Sequence, residues 1–413
     1  MTKTFLDIVD PIHDFIRVYE TELKIIDSPI FQRLRRIRQL SGAHFTYPSA
    51  QHSRFEHSLG VMHVAGQASQ SLKEKGLLDL DKIQEIRLAA LLHDVGHGPF
   101  SHLFEEVLQI KKKISHEDIG KRLILHTEIG DIISDGGFDK KFIMQLAFGS
   151  SKYRFINEII SGSLSADMMD YLQRDGYFTG AEHAKIDHKR IIQSLDVYKN
   201  RLALDRSALY SFESMILSRY QMFKAVYFHK TVRSAEVMML EALRLADDEA
   251  NFTSLNLEDY TKLTDEFVIS QILSLPDYTE DLRRAKSIAA DYQNRHLLKC
   301  VYEKIMSHKK LEIDQETLRQ KIAKKSKIDK REIFVDTSTT SSLPLTPSKE
   351  KTKSIILITR ENTKPSAKEI PFSKIPVVSS MADSMNILRV YTAAKYRKKV
   401  EMAAKFILGD RKI

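Results

Sequence analysis

The sequence of 413 residues contains no tryptophan and only one cysteine, Cys300. A single thiol excludes an internal disulfide and a cysteine-based zinc site. No run of 18 apolar residues occurs, so we expect no transmembrane helix. The first residues, MTKTFLDIVDPIHD, include acids and a proline, which argues against a signal peptide. These absences together predict a cytoplasmic protein.

Basic residues exceed acidic ones, and the formal net charge is +9. Such an excess attracts polyanions, including nucleotides and nucleic acids. Several basic residues are clustered, in RLRRIR (33–38), KKK (111–113) and KIAKKSKIDKR (321–331). Because runs of this kind are usually solvated faces, we expect nucleic acid only as a secondary partner.

The N-terminal part is predicted to form a β-hairpin followed by helices. FLDIV (5–9) and FIRVY (15–19) flank the turn-like sequence DPIHD. In IFQRLRRIRQL (30–40) the apolar residues recur every three or four positions, which is typical of an amphipathic helix. From Arg54 to about residue 310 the pattern is mostly helical, interrupted by one short strand, RLALD (201–205). The breaks between helices are predicted at Gly76, 96–99, 134–137 and 161–163.

The composition changes near residue 325. REIFVD (331–336) and KSIILITR (353–360) have the pattern of strands, and a last helix is predicted from about residue 384 to 408. The segment 337–352 is rich in Ser, Thr, Pro and Lys and cannot form a core, so we predict a flexible loop. The sequence thus predicts a mainly α protein with an N-terminal β-hairpin, divided into a helical core of residues 1–325 and a small α/β subdomain of residues 326–413.

The stretch LLHDVGHGPFSH (91–102) places three histidines and an aspartate at the end of an apolar helix. Its two glycines and its proline stop the helix, so His97 and His102 lie around a tight turn beside His93-Asp94. Polar groups at a buried helix end need partners, and a hydrogen bond between His93 and Asp94 would satisfy them. A purely structural role for His93 and Asp94 becomes a weaker explanation because other segments supply further histidines and acids.

Two other helices supply the same residue types. His57 lies near the start of a helix with a small, apolar interior, and ADMMDYLQRD places Asp167, Asp170, Tyr171 and Asp175 on one helical face. Three acids on that face indicate a cation or an activated water. Imidazole and carboxylate ligands together suit Mn, Fe, Ni, Co or Zn. Such a metal lowers the pKa of bound water and polarises a phosphoryl oxygen.

An ordered set of segments resembles one known family. The segments are DPIHDFIRV, IIDSPIFQRLRRIRQLSG, SRFEHSLGV, LLHDVGHGPFSH, SHED, DMMDYLQRD, AVYFHK and DYTKLTDE, covering roughly residues 5–310. Together they resemble the HD-domain deoxynucleoside triphosphate triphosphohydrolases, in particular the HD core of the animal enzyme that carries a SAM domain and its bacterial dGTPase-like relatives. The resemblance implies an HD-type helical core that binds one divalent transition metal, with Mg accompanying the nucleotide.

The resemblance also implies roles for the histidines and acids. The implied metal ligands are His57, His93, Asp94 and Asp167. His116, in SHED, resembles the catalytic histidine that protonates the leaving 5′ oxygen or positions the attacking water. Ser115 is expected to cap its helix with Asp118 at the third position, and the helix dipole there disfavours an imidazolium. His97 and His102 resemble phosphate-facing residues, although His102 could instead cap the turn after the proline.

The implied substrate contacts are Arg54, Gln39, Leu40, Tyr171, Asp175, Arg219 and Tyr227. Leu40 and Tyr227 would crowd a ribose 2′-hydroxyl, and a rigid pocket can discriminate strongly against one hydroxyl. For Arg219 and Tyr227, a solvated charge and ordinary packing are the alternatives. One position departs from the family, because Met168 stands where the family has a lysine that reaches the triphosphate.

A regulatory site is also implied. Asp27, Gln32 and Arg35 match positions that read guanine at an activator site between subunits, and Arg295 and Lys299 resemble an arm that contacts a neighbouring nucleotide. The alternative is that Asp27 caps the helix that begins at Pro29 and that Arg35 is a surface charge. We therefore expect a homo-oligomer, a dimer or a tetramer, with a guanine-nucleotide activator.

The predicted reaction is metal-dependent hydrolysis of a dNTP to a deoxynucleoside and inorganic triphosphate. One alternative is another HD-type phosphohydrolase, a nucleotidase or a phosphodiesterase, which Met168 leaves open. The other is a nucleotide- or nucleic-acid-binding oligomer with a structural metal site, which the net charge permits. The full set of ligands and His116 argues against this second alternative.

Overall fold

The computed structural model describes residues 5–306, 314–339, 354–360, 366–377 and 386–409, most of them helical. The α-helices in these ranges are α1 (Glu20–Ile26), α2 (Pro29–Gln32), α3 (Arg54–Glu74), α4 (Leu80–Leu92), α5 (His102–Lys112), α6 (His116–His126), α7 (Glu128–Asp135), α8 (Lys140–Ala147), α9 (Arg154–Ile160), α10 (Ala166–Thr179), α11 (His188–Gln193), α12 (Leu209–Met222), α13 (Lys230–Ala250), α14 (Leu257–Tyr260), α15 (Asp265–Ser274), α16 (Glu280–Gln293), α17 (Gln315–Ser326) and α18 (Arg397–Leu408). None of these helices is both long and apolar enough to cross a membrane.

The strands form three small sheets in the described part of the chain. They are β1 (Phe5–Asp10), β2 (Asp14–Tyr19), β3 (Leu195–Tyr198), β4 (Arg201–Asp205), β5 (Lys299–Met306), β6 (Ile333–Thr339), β7 (Ser354–Thr359), β8 (Ser366–Pro371) and β9 (Asn386–Thr392). β1 and β2 form the predicted antiparallel hairpin. β3-β4-β7-β8 is a second sheet, in which β4 and β7 pair in parallel, and β5-β9-β6 is the third. The fold is therefore mainly α with an N-terminal hairpin and C-terminal α/β elements, as predicted.

The central element is α3, a helix with small and apolar residues on most sides and with most side chains buried. Ser53 and Glu56 form a capping box at its start, since Glu56 Oε2 accepts from the Ser53 amide at 2.9 Å. α4 and α10 both pack against α3. Because α4 ends at Leu92, the His93-Asp94 pair directly follows it and lies beside α3 and α10.

Three predicted elements differ in the structure. The amphipathic helix predicted over 30–40 is shorter, because α2 ends at Gln32 and one 3-10 turn, Arg33–Arg36, follows. β5 lies where the helical pattern was predicted to continue to about residue 310, and β9 lies where the last helix was predicted to begin. These two predictions were wrong because β5 and β9 pair with each other, a contact between segments far apart in sequence.

A second, smaller core lies in the C-terminal part. It is formed by the buried residues Val301, Tyr302, Leu318, Ile322, Ile333, Leu388, Val390, Val400, Ala403 and Ala404. This core draws on β5 and α17 as well as on later elements, and β7 with β8 joins the sheet of β4 instead. The domain boundary at residue 325 stays a prediction. Of the predicted loop 337–352, residues 337–339 continue β6 and the rest lies outside the described residues.

Candidate functional site

Three ligand atoms converge where α3, α4 and α10 meet. His57 Nε2 lies 3.2 Å from Asp167 Oδ1, and His93 Nε2 lies 3.9 Å from the same oxygen. One ligand atom from each of these three residues lies within 4.8 Å of the other two. Asp94 borders this group, with its carboxylate oxygens 3.7 Å from His57 Nε2 and 3.5 Å from His93 Nε2. The structure thus brings three of the predicted metal ligands together, with the fourth, Asp94, at the edge of the group.

The hydrogen bonds of the two histidines suit them to hold a metal. His57 Nδ1 lies 2.8 Å from Asp170 Oδ2, and His93 Nδ1 lies 2.8 Å from the carbonyl oxygen of Ala90. An Nδ1–H that is donated in this way leaves the lone pair of Nε2 facing the cluster. His93 Nε2 is buried and has no hydrogen-bond partner in the described part of the chain. Two such imidazoles with carboxylates fit a divalent transition metal.

The potential at this cluster is negative. Burial disfavours the charged form of His57, yet the carboxylates of Asp167 and Asp170 outweigh burial and raise the pKa of His57 to about 10. Without a metal His57 therefore carries a proton on both ring nitrogens. A metal ion would displace the Nε2 proton, because the same carboxylates attract any cation. Arg54 supplies one counter-charge, since its guanidinium donates to Asp94 Oδ2 and, through Nε, to the hydroxyl of Ser101 at 2.8 Å.

Asp170 has a different role from the one its helical face predicted. It is fully buried behind His57, and its carboxylate lies 2.7 Å from His13 Nε2 and within 3.0 Å of two donors of Arg174. Asp170 therefore orients His57 rather than facing the cavity. We predicted that three acids on this helical face bind one cation. For Asp170 this prediction was wrong, because both of its carboxylate oxygens are hydrogen-bonded to buried side chains.

His116 and His97 stand beside the cluster as a stacked pair, with ring centroids 3.8 Å apart and ring planes inclined by 16°. His97 Nε2 lies 3.3 Å from Asp94 Oδ1, and ligand atoms of Asp94, His97 and His116 also lie within 4.8 Å of one another. Imidazole lone pairs lie in the ring plane, so two stacked rings do not converge on one ion. Burial, together with the charge of Arg54, holds the pKa of His97 well below its usual range, so its ring is neutral.

Glu105 is a residue of this site that the sequence analysis missed. Its Oε1 lies 2.7 Å from His116 Nδ1, and its Oε2 lies 3.4 Å from Nδ1 of His102, which is largely exposed. Burial alone would raise the pKa of Glu105, but hydrogen bonds from the two histidines outweigh it and hold that pKa well below its usual range. Ser115 and Asp118 form the expected capping box at the start of α6. The spacing of Glu105 three residues after His102 was the available signal.

A cavity of about 570 Å³ opens above the cluster, and all seven predicted substrate residues line it. Tyr227 donates to Asp175 Oδ2 at 2.7 Å, and Asp175 Oδ1 lies 2.7 Å from His52 Nε2. Arg219 donates to the hydroxyl of Tyr171. Met168 is almost fully buried in the cavity wall. Further lining residues that sequence reasoning missed are Phe148, Phe223, Arg233 and Glu236.

Local backbone geometry positions part of this wall. A π-helical segment, Phe223–Tyr227, follows α12 and aims Phe223 and Tyr227 at the cavity. Segments of this kind are frequent at functional sites. Gln39 Oε1 is buried without a hydrogen-bond partner among the described residues, which leaves an acceptor for a ligand.

The predicted activator residues lie away from the cavity. Arg35 Nε donates to Gln32 Oε1 at 2.8 Å, and the guanidinium of Arg35 stacks on the ring of Phe55. Asp27 is exposed and ends α1, while Ser28 caps α2 by accepting from the backbone, so the alternative of an Asp27 cap was wrong. The other two predicted activator residues, Arg295 and Lys299, are also exposed.

Arg295 donates to the carbonyl oxygen of Phe45, and Lys299 begins β5. Among the described residues, no hydrogen bond or salt bridge joins either side chain to the segment 27–36.

Comparison with known proteins identifies the family. Residues 54–175 match the model of the HD domain, and residues 186–412 match that of the HD associated region. This chain belongs to the HD-domain phosphohydrolase family. The four candidate metal ligands fall within the matched HD domain. The cavity wall is shared: residues 54–175 of it lie in the HD domain, residues 219–236 lie in the associated region, and residues 39–43 precede both matches.

Individual relatives agree with this family. An uncharacterised protein of Bacillus subtilis, YwfO, is 35% identical over 63% of this chain and 64% of its own length. A protein of Dictyostelium discoideum named deoxynucleoside triphosphate triphosphohydrolase SAMHD1 homolog is 32% identical over 76% of this chain and 63% of its own length. The chain thus spans somewhat under two thirds of these relatives. A crystal structure of a hypothetical protein from Aquifex aeolicus superposes with a TM-score of 0.77 at 29% identity, over 97% of this chain and all of that one.

Proposed function

We propose that this chain hydrolyses deoxynucleoside triphosphates to a deoxynucleoside and inorganic triphosphate. The observation that carries the proposal is one cavity that joins the His57, His93, Asp94 and Asp167 cluster to the hydrogen-bonded pair Asp175 and Tyr227. The cluster suits a phosphoryl centre, and the pair suits a sugar. The name of the Dictyostelium relative, a deoxynucleoside triphosphate triphosphohydrolase homolog, supports the same reaction.

The bound metal would polarise the α-phosphoryl group and lower the pKa of the attacking water. Water attacks the α-phosphorus, the bond from phosphorus to the 5′ oxygen breaks, and the leaving 5′ oxygen takes a proton. His116 is the donor for that proton or the group that positions the water, and Glu105 fixes its ring through Nδ1. Arg54 and His97 face the phosphates, with His102 at the exposed rim.

The cavity wall opposite the metal cluster selects deoxyribose over ribose. Asp175 and Tyr171 contact the 3′-hydroxyl, while Leu40 and Tyr227 crowd the position of a 2′-hydroxyl. Gln39 lies under the sugar, and its unpartnered Oε1 is available to it. Arg219 contacts the γ-phosphate after exchanging its internal partner, the hydroxyl of Tyr171.

Regulation and assembly are part of the proposal. A guanine nucleotide binds at Asp27, Gln32 and Arg35 in a dimer or tetramer, with Arg295 and Lys299 reaching a neighbouring nucleotide. We also propose a cytoplasmic location.

One observation favours a different phosphoester. Met168 supplies no charge to the cavity wall, and the three arginines there are already bonded to internal partners. Arg54 is bonded to Asp94, Arg219 to Tyr171, and Arg233 to Glu236 and Asp336. A substrate with fewer phosphates needs fewer cations. The alternative is therefore a nucleotidase or phosphodiesterase that uses the same metal cluster.

The deciding experiment is product analysis. The purified protein is incubated with each dNTP and Mn²⁺, with and without GTP, and the products are resolved by ion-exchange chromatography. Deoxynucleoside plus triphosphate, lost in Asp94→Ala and retained in Asp248→Ala, an exposed acid on α13, supports the proposal. Release of phosphate or pyrophosphate would move the assignment to the alternative, and no turnover of any dNTP would refute the proposed reaction.

A further inference from the structure

The loop 95–101 carries His97 between α4 and α5, and residues distant in sequence bind its backbone. Arg33 donates through one Nη2 to the carbonyl oxygens of Val95, at 3.0 Å, and of His97, at 2.8 Å. Tyr260 donates to the carbonyl oxygen of Gly96 at 2.9 Å. Three consecutive carbonyl groups of the loop are therefore held by two side chains.

The far end of the loop is held in the same way. Asp265 Oδ1 accepts from the amide of Phe100 at 2.8 Å, and the hydroxyl of Ser41 donates to the carbonyl oxygen of Phe100 at 2.7 Å. Phe100 and Ser101 both have positive φ, at 55° and 53°, a conformation that non-glycine residues rarely adopt. Such a backbone persists only where surrounding contacts determine it.

Arg33 is the unusual member of this set. Its side chain is fully buried, and no carboxylate of the described residues forms a salt bridge with it. Its hydrogen bonds within the described part of the chain all go to backbone carbonyl oxygens, the third being that of Leu263 at 3.4 Å. A buried guanidinium is costly unless its donors are satisfied. Both Nη atoms of Arg33 donate to carbonyl oxygens, whereas its Nε has no hydrogen-bond partner among the described residues, so the bonds to the loop carry most of its compensation.

Arg33 also lies between two residues of the proposed activator site. The 3-10 turn Arg33–Arg36 follows α2, and in such a turn residues three apart lie on the same side. Gln32 and Arg35 are three apart and are bonded to each other at the exposed side. Arg33 lies on the buried side of the same turn. The Gln32–Arg35 pair and Arg33 therefore share one short backbone segment.

We propose that Arg33 is a positioning residue that holds the 95–101 loop and transmits occupancy of the activator site to His97. The coupling rests on the proposed activator site, whereas the hold on the loop rests on the contacts alone. Arg33 touches no reacting atom in this scheme and acts only through the backbone of residues 95–97. Tyr260 supports the same loop from α14.

Hydrogen–deuterium exchange, read by mass spectrometry on the full-length protein, tests both parts. Arg33→Lys keeps the charge but replaces the planar fork by one ammonium. The matched control is Arg36→Lys, an exposed arginine of the same turn. We expect Arg33→Lys to speed exchange of the 95–101 amides about tenfold, and Arg36→Lys to leave it unchanged. GTP should protect both 27–36 and 95–101 in the wild type, but only 27–36 in Arg33→Lys.

Because Arg33→Lys could misfold, a second pair of variants with smaller changes tests the same contact. Tyr260→Phe removes one hydroxyl from the loop, while Tyr302→Phe removes a buried hydroxyl that donates to the carbonyl groups of residues 408 and 409 in the second core. With any substrate the enzyme turns over, Tyr260→Phe should lower kcat by about two- to thirtyfold with KM within twofold, and Tyr302→Phe should not.

The outcomes separate the inference from the proposed reaction. GTP protection of 95–101 that survives in Arg33→Lys would overturn the coupling, and so would GTP protection of no segment in the wild type. Unchanged loop exchange in both Arg33→Lys and Tyr260→Phe would overturn the hold itself. The absence of dNTP hydrolysis refutes the proposed reaction but leaves the basal exchange rates to decide the role of Arg33.

Discussion

Replacing Gly60 by alanine should damage the metal cluster without touching a ligand. Gly60 lies on α3 one turn from His57, and a Cβ built there would lie 1.8 Å from Asp170 Oδ1 and 2.6 Å from an Nη of Arg174. Real Cβ contacts are essentially never under 3.0 Å, so the carboxylate must retreat by at least 3.0 − 1.8 = 1.2 Å. The change therefore acts on Asp170, the carboxylate that orients His57.

The expected magnitude follows from what that carboxylate holds. Its bonds to His13 and His57 are 2.7 and 2.8 Å long, and a shift of 1.2 Å away from either donor breaks the bond. Loss of an outer-shell partner costs about 10- to 100-fold in metal affinity. Disrupting a buried charge network costs about 3–5 kcal/mol, offset by about 1 kcal/mol from the better helix propensity of alanine. We expect net destabilisation of about 2–4 kcal/mol.

The assay is competition for Mn²⁺ against a fluorescent chelator, with the free energy of unfolding measured by urea denaturation. The matched control is Ser58→Ala on the same helix, whose buried hydroxyl has no hydrogen-bond partner among the described residues. Its removal should be close to neutral. Gly60→Ala with Mn²⁺ affinity within threefold of the wild type and undiminished stability would refute the role given to Asp170.

Two further predictions concern acid–base groups. Glu105→Gln should lower kcat about 10- to 100-fold because His116 loses the carboxylate that fixes its ring. Glu106→Gln, at the exposed neighbouring residue that is bonded to Arg244, should leave kcat unchanged. Equal kcat values for the two variants in steady-state assays would contradict this. His63→Gln should flatten the pH dependence of stability, which is measured by urea denaturation from pH 7.5 to 4.5. Burial first, and then neighbouring positive charge, lowers the pKa of His63 to about 4 from 6.5, so the unfolded chain binds the extra proton and stability is lost as pH falls from 6.5 to 4. The difference of 6.5 − 4 = 2.5 units corresponds to at most about 3 kcal/mol, and the exposed His126 changed to Gln should keep the wild-type slope.

Local sequence predicted the elements whose signals are local. The β1–β2 hairpin, the helix breaks near residues 76, 97, 136 and 162, and the short strand β4 all carry their turn residues and periodicity within a few positions. The predictions for β5 and β9 failed because the pairing of these strands joins residues 80 or more positions apart. Whether such a segment forms a strand depends on the strand with which it pairs. The sequence of β5, KCVYEKIM, mixes charged and apolar residues, and its pattern does not indicate that β9 is the pairing strand.

The site divides in a similar way. The predicted ligands and substrate residues occur in motifs, and the structure places them around one cavity. Glu105, Asp170 and Arg33 support the site through pairs with distant atoms, and charge alone does not distinguish them from solvated residues. Asp170 was assigned to the right helical face but to the wrong task, because periodicity gives a side and not the donor that occupies it.

The N-terminal hairpin supports the candidate metal site for the same reason. Asp10 accepts from Arg174, and His13, in the turn of the hairpin, binds Asp170, which in turn binds His57. These buried polar and charged groups satisfy one another's hydrogen bonds, and removing any one of them leaves an unpaired neighbour in the core. The geometry at His57 Nε2 is therefore set jointly by α3, α10 and a hairpin more than 40 residues earlier in the chain. A motif search that begins at the histidine finds the ligand but not the structure that orients it.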